Sequence, residues 1–299
     1  MLHPSASTQI TLRRRTFLKG GTFLLAGSVL LLGHPAGSLA ADAVPRLRIG
    51  LVTDLHYANK PPVGNRCCRE SLAKFAEAVQ QFNADKVDLV IALGDVIDGA
   101  DAAEIEKKNL DQVAQAFACL CAPHHYVLGN HCVCALTKCA FLNAVCQKRS
   151  YDSFDVGGYH IVLLDACFRS DGEPYARQNF DWTDANIPPA ELEWLRNDLR
   201  QTPHKCIVCV HQCLDVPPPL GIKNAEAVRK VLEESDKVLA VLQGHRHEGN
   251  YQQIGGIHYC TLMAMTEGAG LENNAFAVLN LLPNDTIELK GLRRQKSYP

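Results

Sequence analysis

Residues 241–250, VLQGHRHEGN, place His245 and His247 one residue apart, behind a glycine and directly after an apolar run. Such a pair is ordinary when it stands alone, because most histidines are solvated or satisfied by a hydrogen bond. Its meaning depends on whether other apolar runs in the chain end the same way. VLAVL has the length and β-branched content of a buried strand, so the pair sits at a strand exit.

Working outward, the chain alternates. RLRIGLVT (46–53) reads as a strand. RESLAKFAEAVQQFN (69–83) follows with Leu72, Phe75, Ala76, Val79 and Phe82 at helical spacing, which predicts an amphipathic helix. VDLVIAL (87–93) is again a strand, 104–121 a helix, HHYVLG (124–129) a strand and 135–148 a helix. YDSFDVGGYHIVLLDA (151–166) predicts a hairpin turning at Gly157 and Gly158, and PAELEWLRNDLRQT a helix with Leu192, Leu195 and Leu199 inward. KCIVCVHQ, NAEAVRKVLEES and KVLAVLQGH continue as strand, helix and strand. Two further hairpins close the chain, with turns at Gly255-Gly256 and at Pro283-Asn284-Asp285. The alternation indicates a mostly parallel sheet covered by helices, in one α/β domain with antiparallel additions.

Five strands now share one kind of exit. IGLVT leads into Asp54-Leu55-His56, and DLVIALG into Asp95 and Asp98. YVLG leads into Asn130 and His131, CIVCV into His211, and LAVLQG into His245 and His247. Open α/β sheets bind ligands beyond the carboxyl ends of their strands, so these residues can meet although they span nearly 200 positions. Carboxylate, imidazole and amide oxygen together suit manganese, iron or zinc; calcium would call for oxygen alone. Two such cations roughly 3.5–4 Å apart need a bridging carboxylate, and Asp95 is the choice for it.

In order, DLH, GDVID, GNH, the histidine of VHQ, and GHRH resemble the motif series of the calcineurin-like metallophosphoesterases, over residues 47–262. The resemblance implies a four-layer α/β/β/α sandwich of two mixed sheets. It implies one divalent ion held by Asp54, His56, Asp95 and His247, and a second by Asp95, Asn130, His211 and His245. The implied reaction is attack on phosphorus by a metal-bridging hydroxide. His131 would serve the departing oxygen, with Asp98 orienting it. Asp98 stands where purple acid phosphatases carry tyrosine. Gly99 and Ala100 stand where protein serine/threonine phosphatases carry arginine, and Cys132 replaces the usual acid after the asparagine-histidine pair.

Within the family, GDVIDG, the histidine pair before VLGNH, GHRHEGNY and TLMAMTEG resemble the manganese-dependent ADP-ribose/CDP-alcohol diphosphatases, except that His56 stands where that group usually has glutamine. The expected substrate is thus a small phosphoester or a nucleoside diphosphate derivative, with a broad phosphomonoesterase or phosphodiesterase as the alternative. A non-catalytic exported metal binder and a redox protein are the readings of other classes. The loop 166–188 carries Phe168, Tyr175, Phe180 and Trp182, which either stack on a base or pin the loop, and Arg169 and Arg177, which could approach phosphate.

The first 40 residues differ in kind. LRRRTFLKG, then 13 apolar residues, then HPAGSLAADA, is the order of an export signal cleaved after Ala40, leaving 41–299 as the phosphoesterase domain. Arg14-Arg15 before Thr-Phe-Leu-Lys resembles a twin-arginine signal, whose export machinery would deliver the folded chain to a bacterial periplasm or the medium. The apolar run is short of the roughly 20 residues of a spanning helix, so no stable membrane anchor is expected. Cleavage takes four of the 30 basic residues and no acid, leaving 26 against 32, with no basic run for nucleic acid. Thirteen cysteines suggest disulfides in an exported chain, but folding before export favours buried thiols. Cys206, Cys209 and Cys213 fall on and after one strand, where neighbouring ligands would point to opposite faces.

Overall fold

The computed structural model describes residues 44–299, so the expected export signal lies outside the described residues. Its strands form two mixed sheets. One has the order β11-β10-β1-β2-β3, with β1 Leu47–Val52, β2 Leu89–Ala92, β3 His124–Tyr126, β10 Ala275–Leu281 and β11 Ile287–Arg293. The other runs β4-β5-β6-β7-β9-β8, with β4 Asp152–Val156, β5 Tyr159–Leu163, β6 Lys205–Cys209, β7 Val238–Gln243, β8 Glu248–Ile254 and β9 Ile257–Met263. β1, β2 and β3 pair in parallel, as do β5, β6, β7 and β9, while the three expected hairpins supply the antiparallel edges.

Side-chain alternation explains the four layers. In β1 and β2, Leu47, Ile49, Leu51, Leu89 and Ile91 enter one core, which also contains Ile207, Cys209, Ala240 and Leu242 from the second sheet. Val52, Val90 and Ala92 point the other way, into a core shared with helices α1 (Ser71–Asp85), α2 (Ala103–Phe117) and α3 (Lys138–Ala144). Cys206, Val208 and Val241 face outward to helices α4 (Pro189–Gln201) and α5 (Ala225–Ser235). Strands buried on both faces read as unbroken apolar runs, which is why periodicity alone does not divide them between two sheets.

Several expected elements are trimmed. The helix predicted over 135–148 occupies only Lys138–Ala144, because Thr137 caps it by accepting from the Ala140 amide at 3.1 Å and Cys146 adopts a left-handed backbone beyond it. Helix α2 stops at Phe117. On α1, Phe75, Val79 and Phe82 face the core as expected, but Ala76 is exposed and Lys74 is buried. All thirteen cysteines are free thiols, eight of them buried.

Candidate metal centre

Every residue predicted for the site lies at the carboxyl end of a parallel strand. β1, β2 and β3 of one sheet deliver Asp54, His56, Asp95, Asp98, Asn130 and His131; β6 and β7 of the other deliver His211, His245 and His247. Asp54, His56, Asp95 and His245 all leave their strands with positive φ, from 44° to 67°. Non-glycine residues adopt this conformation at a cost, and such strain persists where surrounding contacts hold it for function. Glycines make room beside them: a Cβ on Gly129 would sit 2.2 Å from Asp95 Oδ1, and one on Gly244 would sit 2.1 Å from Thr53 Oγ1. The glycines of GNH and GHRH are therefore steric requirements of the carboxylates they adjoin.

The side chains converge as three overlapping groups of possible ligands: Asp54 with His56 and His247, Asp95 with His211 and His245, and His56 with Asp98 and His131. The first two supply the pair of positions expected for the ions. Asp95 Oδ2 lies between them, 3.6 Å from His56 Nε2 and 3.1 Å from His211 Nε2. Its other oxygen accepts from the His131 amide at 2.8 Å. Asp54 Oδ2 is likewise committed, to Thr53 Oγ1 at 2.6 Å and the His245 amide at 3.0 Å.

The histidine tautomers carry further information. Nδ1 of His56 is tied to Asp98 at 3.0 Å, that of His211 to the Leu93 carbonyl at 2.7 Å and that of His247 to Glu267 at 2.6 Å. In each case a proton on Nδ1 leaves the Nε2 lone pair facing the cluster, the usual arrangement of a ligating imidazole. His56 Nε2 and His247 Nε2 face each other at 3.2 Å, and Asp54 Oδ1, Asn130 Oδ1, His211 Nε2 and His245 Nε2 are buried without a hydrogen-bond partner among the described residues. Buried acceptors are seldom left so. Lone pairs aimed at one another in a dry site fit cations, and the mixed oxygen-nitrogen donor set fits manganese, iron or zinc.

The charges agree. Burial alone would raise Asp54 and Asp95, but His211 and the neighbouring imidazoles hold both carboxyls well below the usual range. Burial would lower His56, yet Asp54 and Asp98 push it up to about 9. Burial and the His211 charge push His245 down to about 3.

Asp98 does not cap a helix. Its Oδ1 serves both His56 and His131, whose Nδ1 is 2.9 Å away, while Lys60 pairs with Oδ2. The Gly99 amide approaches the same nitrogen at 3.2 Å; Nδ1 carries either one proton or one lone pair, so it bonds Asp98 or Gly99 and not both at once. The Nε2 of His131 makes no hydrogen bond among the described residues. Glu106, buried on α2, accepts from the amides of Ala100, Ala135 and Leu136, which fixes the loops bearing Asp98 and His131.

Of the predicted residues, His56, Asp95, Asn130, His131, His245 and His247 line a cleft of about 710 Å³, with Asp54, Asp98 and His211 buried behind them; Trp182, Arg66, Arg246 and Arg294 also line it. An adjoining cavity of about 470 Å³ shares Asn130, His131 and Trp182 and adds Gln178, Phe180 and Asp181. The loop 166–188 divides its aromatic residues between two tasks. Tyr175 is fully buried and stacks on Phe180 with ring centroids 3.9 Å apart, and Phe168 lies under the Lys138 ammonium. Trp182, 44% exposed, stands against His245. Arg169 pairs with Asp171, and neither it nor Arg177 lines the cleft.

Sequence reasoning missed Glu267, Lys60 and the cleft arginines. Glu267 follows β9, which runs parallel to β7, so its segment is a further exit at the same edge. Reading β9 only as half of a hairpin hid it.

A sandwich of two mixed sheets with acids and imidazoles gathered at their shared edge is the architecture of a metal-dependent phosphoesterase. The model of the calcineurin-like phosphoesterase family matches residues 47–249, and the chain belongs to that family. Among curated proteins it is similar to the manganese-dependent ADP-ribose/CDP-alcohol diphosphatase of Danio rerio, 26% identical over 314 residues covering 84% of this chain and 96% of that one. It is also similar to a probable cyclic nucleotide phosphodiesterase of Synechococcus, 23% identical, covering 72% and 79%. Among solved structures, a dimetal phosphatase from Danio rerio superposes with a TM-score of 0.75 at 23% identity, covering 85% of this chain and 98% of that chain. A purple acid phosphatase from yellow lupin gives 0.57 at 15%, covering 84% and 52%.

Proposed function

We propose that the protein hydrolyses small phosphoanhydrides and phosphoesters of the nucleoside diphosphate type, with ADP-ribose and CDP-alcohols as the leading substrates. The observation that carries the reading is the convergence of buried, unpartnered polar atoms from four strand exits around Asp95, which a fifth exit supplies. Asp54, His56, Asp95 and His247 would hold one divalent ion and Asp95, Asn130, His211 and His245 the other, with Asp95 common to both. When bound, the ions supply an acidified water as nucleophile near neutral pH and offset charge on the phosphoryl oxygens.

The protein's own groups do the rest. Asp98 holds His56 and His131 in fixed orientation through one oxygen, and Lys60 keeps that carboxylate from turning. With Nδ1 of His131 engaged, Nε2 is the nitrogen that donates a proton or hydrogen bond to the departing oxygen. Arg66, Arg246 and Arg294 on the cleft wall suit a substrate with a second phosphoryl group, and Trp182 offers an exposed aromatic face beside them. The names of the curated diphosphatase relatives support this substrate class. The similarity to a probable cyclic nucleotide phosphodiesterase favours a second reading, a broader phosphodiesterase.

The test is a manganese-reconstituted activity panel of monoesters, diesters, ADP-ribose, CDP-alcohols and phospholipid head groups. Highest kcat/KM is expected on ADP-ribose or a CDP-alcohol. A preference for simple monoesters would overturn the substrate reading. We further propose that residues 1–40 are an export signal of the twin-arginine type, that 41–299 is the mature domain, and that the protein acts in a periplasm or outside the cell. The basic, apolar, small-residue order supports this, and N-terminal sequencing of the mature protein tests it.

A further inference from the structure

Lys74 lies on the core side of α1, between Leu72 and Phe75, and is 1% exposed. An ammonium so placed is costly unless every donor is used, and no carboxylate lies within salt-bridge reach of it among the described residues. Its three donors instead go to three backbone carbonyls, of Met265 at 2.9 Å, Glu267 at 3.1 Å and Gly268 at 2.6 Å. The segment after β9 is thus wrapped around a buried cation. Its other side is fixed to the exit of β1, where the Met265 amide donates to the Thr53 carbonyl at 3.2 Å and the Thr266 amide to the Asp54 carbonyl at 3.0 Å. Held from both sides, this segment presents the Glu267 carboxylate to His247 Nδ1 at 2.6 Å.

The opposite half of the cluster is supported separately. His211 leans on the Leu93 carbonyl at the end of β2, and neither Lys74 nor Glu267 touches that support. A carboxylate behind a ligating imidazole fixes its tautomer and raises its basicity, and losing such a support typically weakens metal binding 10–100-fold. From this asymmetry we infer that Glu267, anchored by Lys74, is a positioning residue that sets the affinity of the ion position served by Asp54, His56 and His247, and leaves the position served by His211 and His245 alone. The inference rests on the two-ion reading above.

It is tested by calorimetric titration of chelator-stripped protein with Mn²⁺, which does not depend on catalysis. The wild type is expected to show two binding events. Glu267→Leu should weaken one of them roughly 10–100-fold and leave the other within about twofold. Glu267→Gln, which still accepts from Nδ1–H, should lose less. Lys74→Met should weaken the same event as Glu267→Leu with the circular dichroism of the wild type; if that variant does not fold, the two Glu267 variants decide. Both events weakening together, or neither moving, overturns the inference while leaving the two-ion reading standing. A wild type that takes up no manganese overturns that reading, and this inference with it.

Discussion

At the scale of single residues, the site is a set of side chains each restrained on one side and open on the other. Asp54, Asp95, His56, His211 and His247 all spend one polar atom on a protein partner and keep one for the cluster. His131 differs, because it lines the cleft with a ring nitrogen that has no partner among the described residues, the one proposed to give a proton to the departing oxygen. Leaving groups of low basicity need that proton little, whereas an alkoxide needs it fully. His131→Ala is therefore expected to lower kcat on an alkyl phosphoester by roughly 10²–10⁴-fold and on a phosphoanhydride much less. Equal losses on the two, measured side by side, would remove His131 from the leaving-group role. These candidate ligands were legible in the sequence because each stands within five residues of the end of an apolar run. Their supports were not: the Leu93 carbonyl, Thr53 and Lys60 act through adjacency that only the folded chain creates, and Lys74 occupies a core position that helical periodicity reserves for an apolar side chain.

Among the elements, the loop 166–188 shows how one segment combines anchoring with exposure. Tyr175 is sealed in the core, and its hydroxyl donates to the Asp181 carbonyl at 3.2 Å. Tyr175→Ala should cost about 3–5 kcal/mol of stability in chemical denaturation, as other large-to-small aromatic changes do. Trp182→Ala should leave stability within about 0.5 kcal/mol and raise KM for nucleoside-bearing substrates, since its ring is largely free of the body. An unchanged KM would show that the loop only covers the fold. A second element pair, β5 and α4, is joined by His160, whose ring contacts Asp155 at 2.6 Å and Asp198 at 2.9 Å. Asp198 first, with Asp155, holds this imidazole above its ordinary value against the effect of burial. The stabilisation is therefore fully present below the unfolded value of about 6.5 and is lost as pH rises through the raised folded value. His160→Gln should cost about 1–2 kcal/mol at pH 5.5 and clearly less at pH 9, the figure being moderate because Asp155 is more than half exposed. A cost that is equal at both pH values, or larger at pH 9, would contradict it. Element boundaries were less legible than element types, since α3 is ended by a left-handed Cys146 that no pattern of apolar residues marks.

Across the whole molecule, the cluster spans the seam between the two sheets, taking its acids from one and most of its imidazoles from the other. Ions bound there connect the halves of the sandwich and bind only the folded chain, so they stabilise it by mass action, by about 2.7 kcal/mol at a hundredfold excess over Kd. Chelation should lower the melting temperature and abolish activity together, and manganese should restore both; activity that survives chelation would show that the reaction needs no ion. The strand and helix sequence was readable because each apolar run has a clear period or length. The partition into two sheets was not, because a strand buried on both faces looks the same wherever it pairs, and the four-layer arrangement followed from the motif series alone. The central claim is that seven side chains at this seam hold two ions in one centre. Anomalous diffraction at the manganese edge, from crystals of the reconstituted protein, tests it most directly. The account predicts two peaks, one among Asp54, His56 and His247 and one among Asn130, His211 and His245, with Asp95 touching both. A single peak, no peak, or metal held elsewhere would contradict it.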